Sequence, residues 1–189
     1  MSEPLTPWLL EWAYRQGIFP MGMEDGETGW FRPDPRAIIP LDAFHATRSL
    51  RRSADRYEVR FDTAYEQVMR ACANRKDVWI TEELFHVYAE LFRRGTGHSA
   101  EAFLSDRLVG GVYGVSLGGA FMAESMFHSE TDAGKVALWK LIEKLRDSGW
   151  VLFDVQYMTP HLKTLGAIEI SHSEYIRRLE EALEISPDW

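Results

Sequence analysis

Two short segments carry polar side chains inside otherwise apolar runs. In FMAESMF (121–127) Glu124 stands between Met122 and Met126, and in WVLFDVQ (150–156) Asp154 and Gln156 close a hydrophobic stretch. Residues two apart on a strand share a face. The pattern therefore predicts Met122, Glu124 and Met126 on one side of the first segment, with Phe121, Ala123, Ser125 and Phe127 on the other. Leu152, Asp154 and Gln156 share a face of the second segment, opposite Val151, Phe153 and Val155. A buried carboxylate without a partner is costly or takes up a proton. Converging, Glu124, Asp154 and Gln156 imply either a mutual hydrogen-bond network or a ligand cleft. Such a cleft offers acceptors to an ammonium or amine, and its thioethers offer a soft wall to an unbranched or aromatic side chain.

These segments need elements to position them. The stretch 132–149 between them reads as a helix with an Asp cap and a terminal Gly. A helical crossover makes the two strands candidates for parallel neighbours. Upstream, 99–129 reads as an antiparallel meander with turns at Ser-Asp-Arg and Leu-Gly-Gly. Helices are expected over 5–17 (Thr6 cap, Pro7, Gly17 stop), 62–74 (Asp62 or Thr63 cap) and 81–95 (Thr81 cap, Gly95 stop). Two more are expected over 159–166 and 174–185. Gly and Pro forbid a long regular element over 18–41, where Trp30, Phe31, Arg32 and Arg36 interleave and RPDPR reads as a turn or extended segment. The order predicts a mixed α/β (α+β) sheet with helices packed on it. A small N-terminal lobe over 1–57 is expected before a main domain over 58–189.

Composition narrows the function. The chain has 189 residues, 46% hydrophobic and 13% aromatic, enough for a sizeable core. A formal charge of −8 argues against indiscriminate nucleic-acid binding. Residues 48–60 nevertheless hold Arg48, Arg51, Arg52, Arg56 and Arg60 against only Asp55 and Glu58. That run is either a solvated face or a phosphate-contacting patch. One cysteine, Cys72, excludes an internal disulfide and points to a reducing, cytoplasmic setting. No secretory signal or membrane-spanning run is visible, the six histidines show no metal-ligand spacing, and no nucleophile elbow or P-loop is present.

Taken in order, YRQGIFPMG (14–22), RPDPRAIIPL (32–41), WITEEL (79–84), GHSAEAF (97–103), LVGGVYGVSLGGAFMAESMF (108–127), DAGKVAL (132–138), FDVQYMTPHLKTLGA (153–167) and EYIRRL (174–179) resemble the bacterial leucyl/phenylalanyl-tRNA–protein transferase family. The resemblance implies an acetyltransferase-like (GNAT) fold. It implies transfer of Leu, Phe or Met from the 3′ acceptor end of aminoacyl-tRNA to a protein N-terminus bearing Arg or Lys, marking that protein for N-degron degradation, with no cofactor or metal. Asp154 and Gln156 match the family's proposed catalytic pair, with Asp154 accepting from the attacking amine and Gln156 orienting it. Glu124 matches a strand lining the aminoacyl pocket, here with Met122, Met126, Phe121 and Leu152 as its walls. Trp79 matches a Trp near the terminal adenosine, and Arg48, Arg51, Arg52 and Arg56 would hold the acceptor stem. The chain is expected to act as a cytoplasmic monomer. It departs from the family at Met21 (usually Trp), Ala123 (usually Gly) and Gly134 (usually Ser), and in a shorter stretch before Tyr14.

Two other functions share some of these features. An acyl-CoA-dependent N-acetyltransferase would use the same fold, but FRRGTGH (92–98) only half-matches a pyrophosphate loop and follows a helix. A non-catalytic binder of aminoacyl-tRNA or N-degron peptides would not need Glu124, Asp154 and Gln156 together.

Overall fold

The computed structural model describes residues 4–74 and 79–189. Seven strands form one mixed sheet in the order β4-β5-β6-β7-β8-β3-β9, with ranges β3 Arg36–Ile38, β4 Glu58–Phe61, β5 Gly97–Leu104, β6 Arg107–Leu117, β7 Ala120–His128, β8 Leu152–Gln156 and β9 Ile168–Ile170. A separate antiparallel pair joins β1 (Phe19–Gly22) to β2 (Thr28–Phe31). The expected meander is β5-β6-β7, and β7 runs parallel to β8 as the helical crossover predicted.

The sheet separates two apolar cores. On one face lie α1 (Pro7–Arg15), α3 (Tyr65–Ala73), α4 (Glu82–Arg93) and α7 (His172–Leu183), which bury Leu10, Val68, Leu84, Leu91 and Leu179 against Val115, Met122 and Leu152. On the other lie α2 (Arg48–Ala54) and α5 (Ala133–Asp147), which bury Leu50, Val136 and Leu141 against Val112, Phe121 and Phe153. A short α6 (Pro160–Thr164) follows β8.

Local chemistry sets most helix ends. Thr6, Thr47, Thr81, Thr159 and Ser171 each accept a backbone N–H in the first turn of the helix they precede, a cap worth roughly 1 kcal/mol. Gly17 and Gly95 follow α1 and α4 with φ of 71° and 79°, which glycine adopts without strain. Two expected caps are not made. Asp132 precedes α5 but directs its carboxylate to Lys135 Nζ and Ser53 Oγ, both at 2.9 Å. Residue 64 holds the cap position of α3, and Glu101 from β5 takes the Thr63 hydroxyl at 3.0 Å.

The segment 18–41 is more regular than its Gly and Pro content suggested. Arg36–Ile38, inside the span expected as a separate lobe, is a strand of the large sheet, between β8 and β9. The Arg-rich run 48–60 divides into α2 and β4, and Arg60 on β4 is paired with Glu58 and Asp106.

Candidate active site

The parallel pairing of β7 with β8 covers Ala120/Leu152, Phe121/Phe153 and Met122/Asp154, and stops there. Beyond it both strands change course. On β7 the register against β6 runs from Gly114 opposite Ala123 to Tyr113 opposite Ser125, leaving Glu124 as an extra, bulged residue. Gly114 is required at this place, because a Cβ on it would lie 2.2 Å from the Met122 carbonyl oxygen. On β8 the chain ends in Gln156 with φ of 64°, a left-handed conformation that costs a non-glycine residue on the order of 1 kcal/mol. Bulge and kink bring Glu124 and Gln156 together where the strands part: Gln156 Nε2 donates to Glu124 Oε1 at 3.1 Å.

Asp154 is fully enclosed. Arg36, itself 1% exposed, donates Nε to Oδ1 at 2.9 Å and Nη2 to Oδ2 at 2.5 Å. Tyr175 donates to Oδ2 at 2.9 Å, and the Gln156 backbone N–H donates to Oδ1 at 2.8 Å. Four donors fill the four acceptor positions of a carboxylate. Burial works against the Arg36 charge, but the Asp154 carboxylate outweighs it and raises the guanidinium pKa. The guanidinium also lies over the Phe19 and Tyr175 rings at 4.6 and 4.5 Å. The left-handed Gln156 is thus held by a bidentate ion pair acting through Asp154.

Glu124 is also buried, at 6% exposure, but among the described residues no cation bonds it. Its partners are neutral: Tyr14 donates to Oε1 at 2.6 Å, Tyr88 donates to Oε2 at 2.9 Å, and Gln156 donates as above. Burial pushes its carboxyl up to about 7, against the three hydrogen bonds that favour the charged form. Burial, and then the Glu124 charge, push the Tyr14 and Tyr88 hydroxyls well above their ordinary value. Because ionised Glu124 only accepts, the Gln156 amide must turn its nitrogen inward, and its Oε1 faces away as an acceptor.

The three residues expected to carry the chemistry are brought together; the expected pocket walls are not. Met122 and Leu152 do share the Glu124 face, but at 0% and 2% exposure they line nothing open. Phe121 is fully buried in the opposite core. The bulge breaks strict alternation, so Met126 turns to the opposite face, and Phe127, predicted on that opposite face, shares the core of Met122 instead. Met126, like Ala123, Val155 and Met158, is partly buried against the second core. It lines a cleft of about 1060 Å³ that runs past His128, Asp132, Lys135 and His161 at the start of α5.

The four arginines are exposed on and just after α2, on the α5 side. Ser53 bonds Asp132, and the Tyr57 hydroxyl donates to the Thr131 carbonyl at 2.7 Å, tying α2 to the rim of that cleft. Trp79 lies against the other core, as Met21 and Phe31 do, and its carbonyl accepts the Gly22 N–H at 2.8 Å. The expected RNA contacts therefore fall on two faces. Arg36, Tyr14, Tyr88 and Tyr175 had not been singled out for the site. Their one signal was a tyrosine at core positions of three amphipathic helices, where a buried hydroxyl needs a partner. Among the described residues, no group of three or more His, Cys, Asp or Glu is placed to hold a metal.

Residues 38–180 match the family described as leucyl/phenylalanyl-tRNA protein transferase, and residues 3–34 match the N-terminal domain of the same family. A leucyl/phenylalanyl-tRNA–protein transferase of Rubrobacter xylanophilus is 50% identical over 184 residues, covering 96% of each chain. That of Herpetosiphon aurantiacus is 49% identical over 189 residues, covering 98% of each. Among solved structures, an aminoglycoside acetyltransferase from an uncultured soil metagenomic sample aligns with a TM-score of 0.45 at 13% identity, over 59% of this chain and 84% of its own.

Proposed function

We propose that this chain, which belongs to the leucyl/phenylalanyl-tRNA–protein transferase family, moves Leu, Phe or Met from the 3′ end of aminoacyl-tRNA to an N-terminal Arg or Lys of an acceptor protein. The α-amine attacks the ester carbonyl; a C–N bond forms, the C–O bond to the ribose breaks, and the departing 3′-oxygen takes a proton from the nitrogen. The observation that carries this reading is the Gln156 amide, held with its Oε1 free to accept an N–H of the amine.

The chemistry asks little of the protein beyond placement. An α-amine has a pKa of about 8 and is partly neutral at cellular pH. The ester is already activated, so alignment, worth up to ~7–11 kcal/mol in favourable cases, supplies most of the acceleration. Asp154 holds Gln156 rather than taking the proton of the amine itself, because its acceptor positions are filled. The donor side chain lies against Met126, Val155 and Met158 instead of the closed Met122, Leu152 and Phe121. The two unbranched, flexible methionines among these walls favour Leu over Val, and comparing transfer from matched tRNAs tests that preference.

Arg48, Arg51, Arg52 and Arg56 meet acceptor-stem phosphates, and Trp79 stacks on the terminal adenosine. The protein works as a monomer in the cytoplasm, and its products enter N-degron degradation; no described helix is long and apolar enough to cross a membrane. The deciding experiment is transfer of labelled Leu from charged tRNA to a peptide beginning with Arg, with and without ribonuclease. Ribonuclease-sensitive transfer supports the reading, and its absence overturns it.

A further inference from the structure

Glu124, Tyr14 and Tyr88 form a closed triangle of oxygen contacts. Tyr14 to Glu124 is 2.6 Å, Tyr88 to Glu124 is 2.9 Å, and the two hydroxyls lie 2.9 Å from each other. Three contacts need three protons, and two tyrosines supply only two while Glu124 is ionised. A third proton, on Glu124 Oε2, completes the ring: Glu124 donates to Tyr88, Tyr88 to Tyr14, and Tyr14 to Oε1. Gln156 Nε2 keeps its bond to Oε1 in either state. The ring accepts a proton without moving a side chain.

Adding that proton changes the charge beside the site. Arg36 and Asp154 cancel, so among the described residues ionised Glu124 is the uncompensated charge of the buried cluster, one hydrogen bond behind the amide that receives the amine. Among the described residues, the other titratable groups around it are Tyr65 on α3, whose hydroxyl burial pushes well above its ordinary value, and Tyr113 on β6, besides Tyr14 on α1, Tyr88 on α4, Asp154 on β8 and Arg36 on β3.

We propose that the Glu124–Tyr14–Tyr88 ring is a one-proton switch on the acceptor-amine site. With two protons it is negative and, through Gln156, stabilises the positive charge that builds on the attacking nitrogen. With three it is neutral and does not. Glu124 is thus a positioning residue acting through Gln156, and it sets a step in the pH dependence of turnover. The elevated carboxyl, at about 7, places that step near neutrality, with activity on its alkaline side. This inference rests on the transferase reading.

The test is the single-turnover rate against pH, at saturating charged tRNA, with an Arg-starting peptide. The native chain is expected to show two rising limbs, one near neutrality and one from the α-amine at about 8. Tyr88→Phe removes a charge-assisted bond that favours the ionised form, so the lower limb moves to higher pH while the amine limb stays. Glu124→Gln removes the lower limb and leaves a rate reduced on the order of 100-fold at high pH, the scale of losing one preorganised electrostatic group. A lower limb unmoved in Tyr88→Phe and still present in Glu124→Gln overturns the switch. A native chain that transfers nothing at any pH overturns the transferase reading itself, and this inference with it.

Discussion

Asp154 and Glu124 are both buried carboxylates on neighbouring parallel strands, yet they are built in opposite ways. Asp154 faces a guanidinium, a phenol and a backbone N–H that use every acceptor position. Among the described residues Glu124 faces only neutral donors, three of them, for its four acceptor positions. The first has each acceptor position taken, two of them by a guanidinium; the second is left near the point where a proton comes and goes. Burial alone does not decide what a carboxylate is for. The charge of its nearest donors does.

The sharpest way to break that contrast is to remove each acid in turn. Asp154→Ala strands the Arg36 charge in the interior and is expected to cost about 3–5 kcal/mol, read as a lowered urea midpoint, with transfer lost as well. Glu124→Gln strands no charge, and its stability at pH 8 should change by much less than that. The native protein should also lose stability as pH rises between the ordinary carboxyl value of 4.5 and about 7. Over that window the folded chain holds a proton that the unfolded chain has released. Glu124→Gln should abolish this slope, measured by thermal melting across the range; an unchanged slope would assign it to another group.

Tyr175→Phe takes one of the four donors from Asp154 and should cost about 1.5 kcal/mol, the low end for a bond to a charged group, without shifting the pH profile. The mildest change leaves both acids alone. Replacing Arg48 and Arg52 by Ala should weaken tRNA binding and flatten its salt dependence by a slope of about 1–2, with the rate at saturating tRNA unchanged. A steep slope retained in that variant would remove those arginines from the RNA contact.

The β5-β6-β7 meander and the parallel β7–β8 pair were legible because turn signals and a helical crossover permit few topologies, whereas the places of β3, β4 and β9 were not. Glu124, Asp154 and Gln156 were legible because polar groups interrupt two apolar runs. Side-chain facing beyond Glu124 was not, since it turns on a one-residue bulge whose only mark is Gly114 on the partner strand. Arg36 was read in a turn-like segment and lies 118 residues from Asp154, and no local period reports such a pairing. The tyrosines around the acids look in sequence like core aromatics, which they also are.

The placement of β3 between β8 and β9 reaches beyond catalysis. A ribosome makes Arg36 early, then more than a hundred residues pass before Asp154 and Tyr175 exist. The nascent polypeptide must keep that basic side chain solvated and idle until the far end emerges and the gap in the sheet can be filled. Assembly of this corner is bound to be a late event, since it closes a long-range contact, and premature activity on a half-made chain is ruled out by architecture alone.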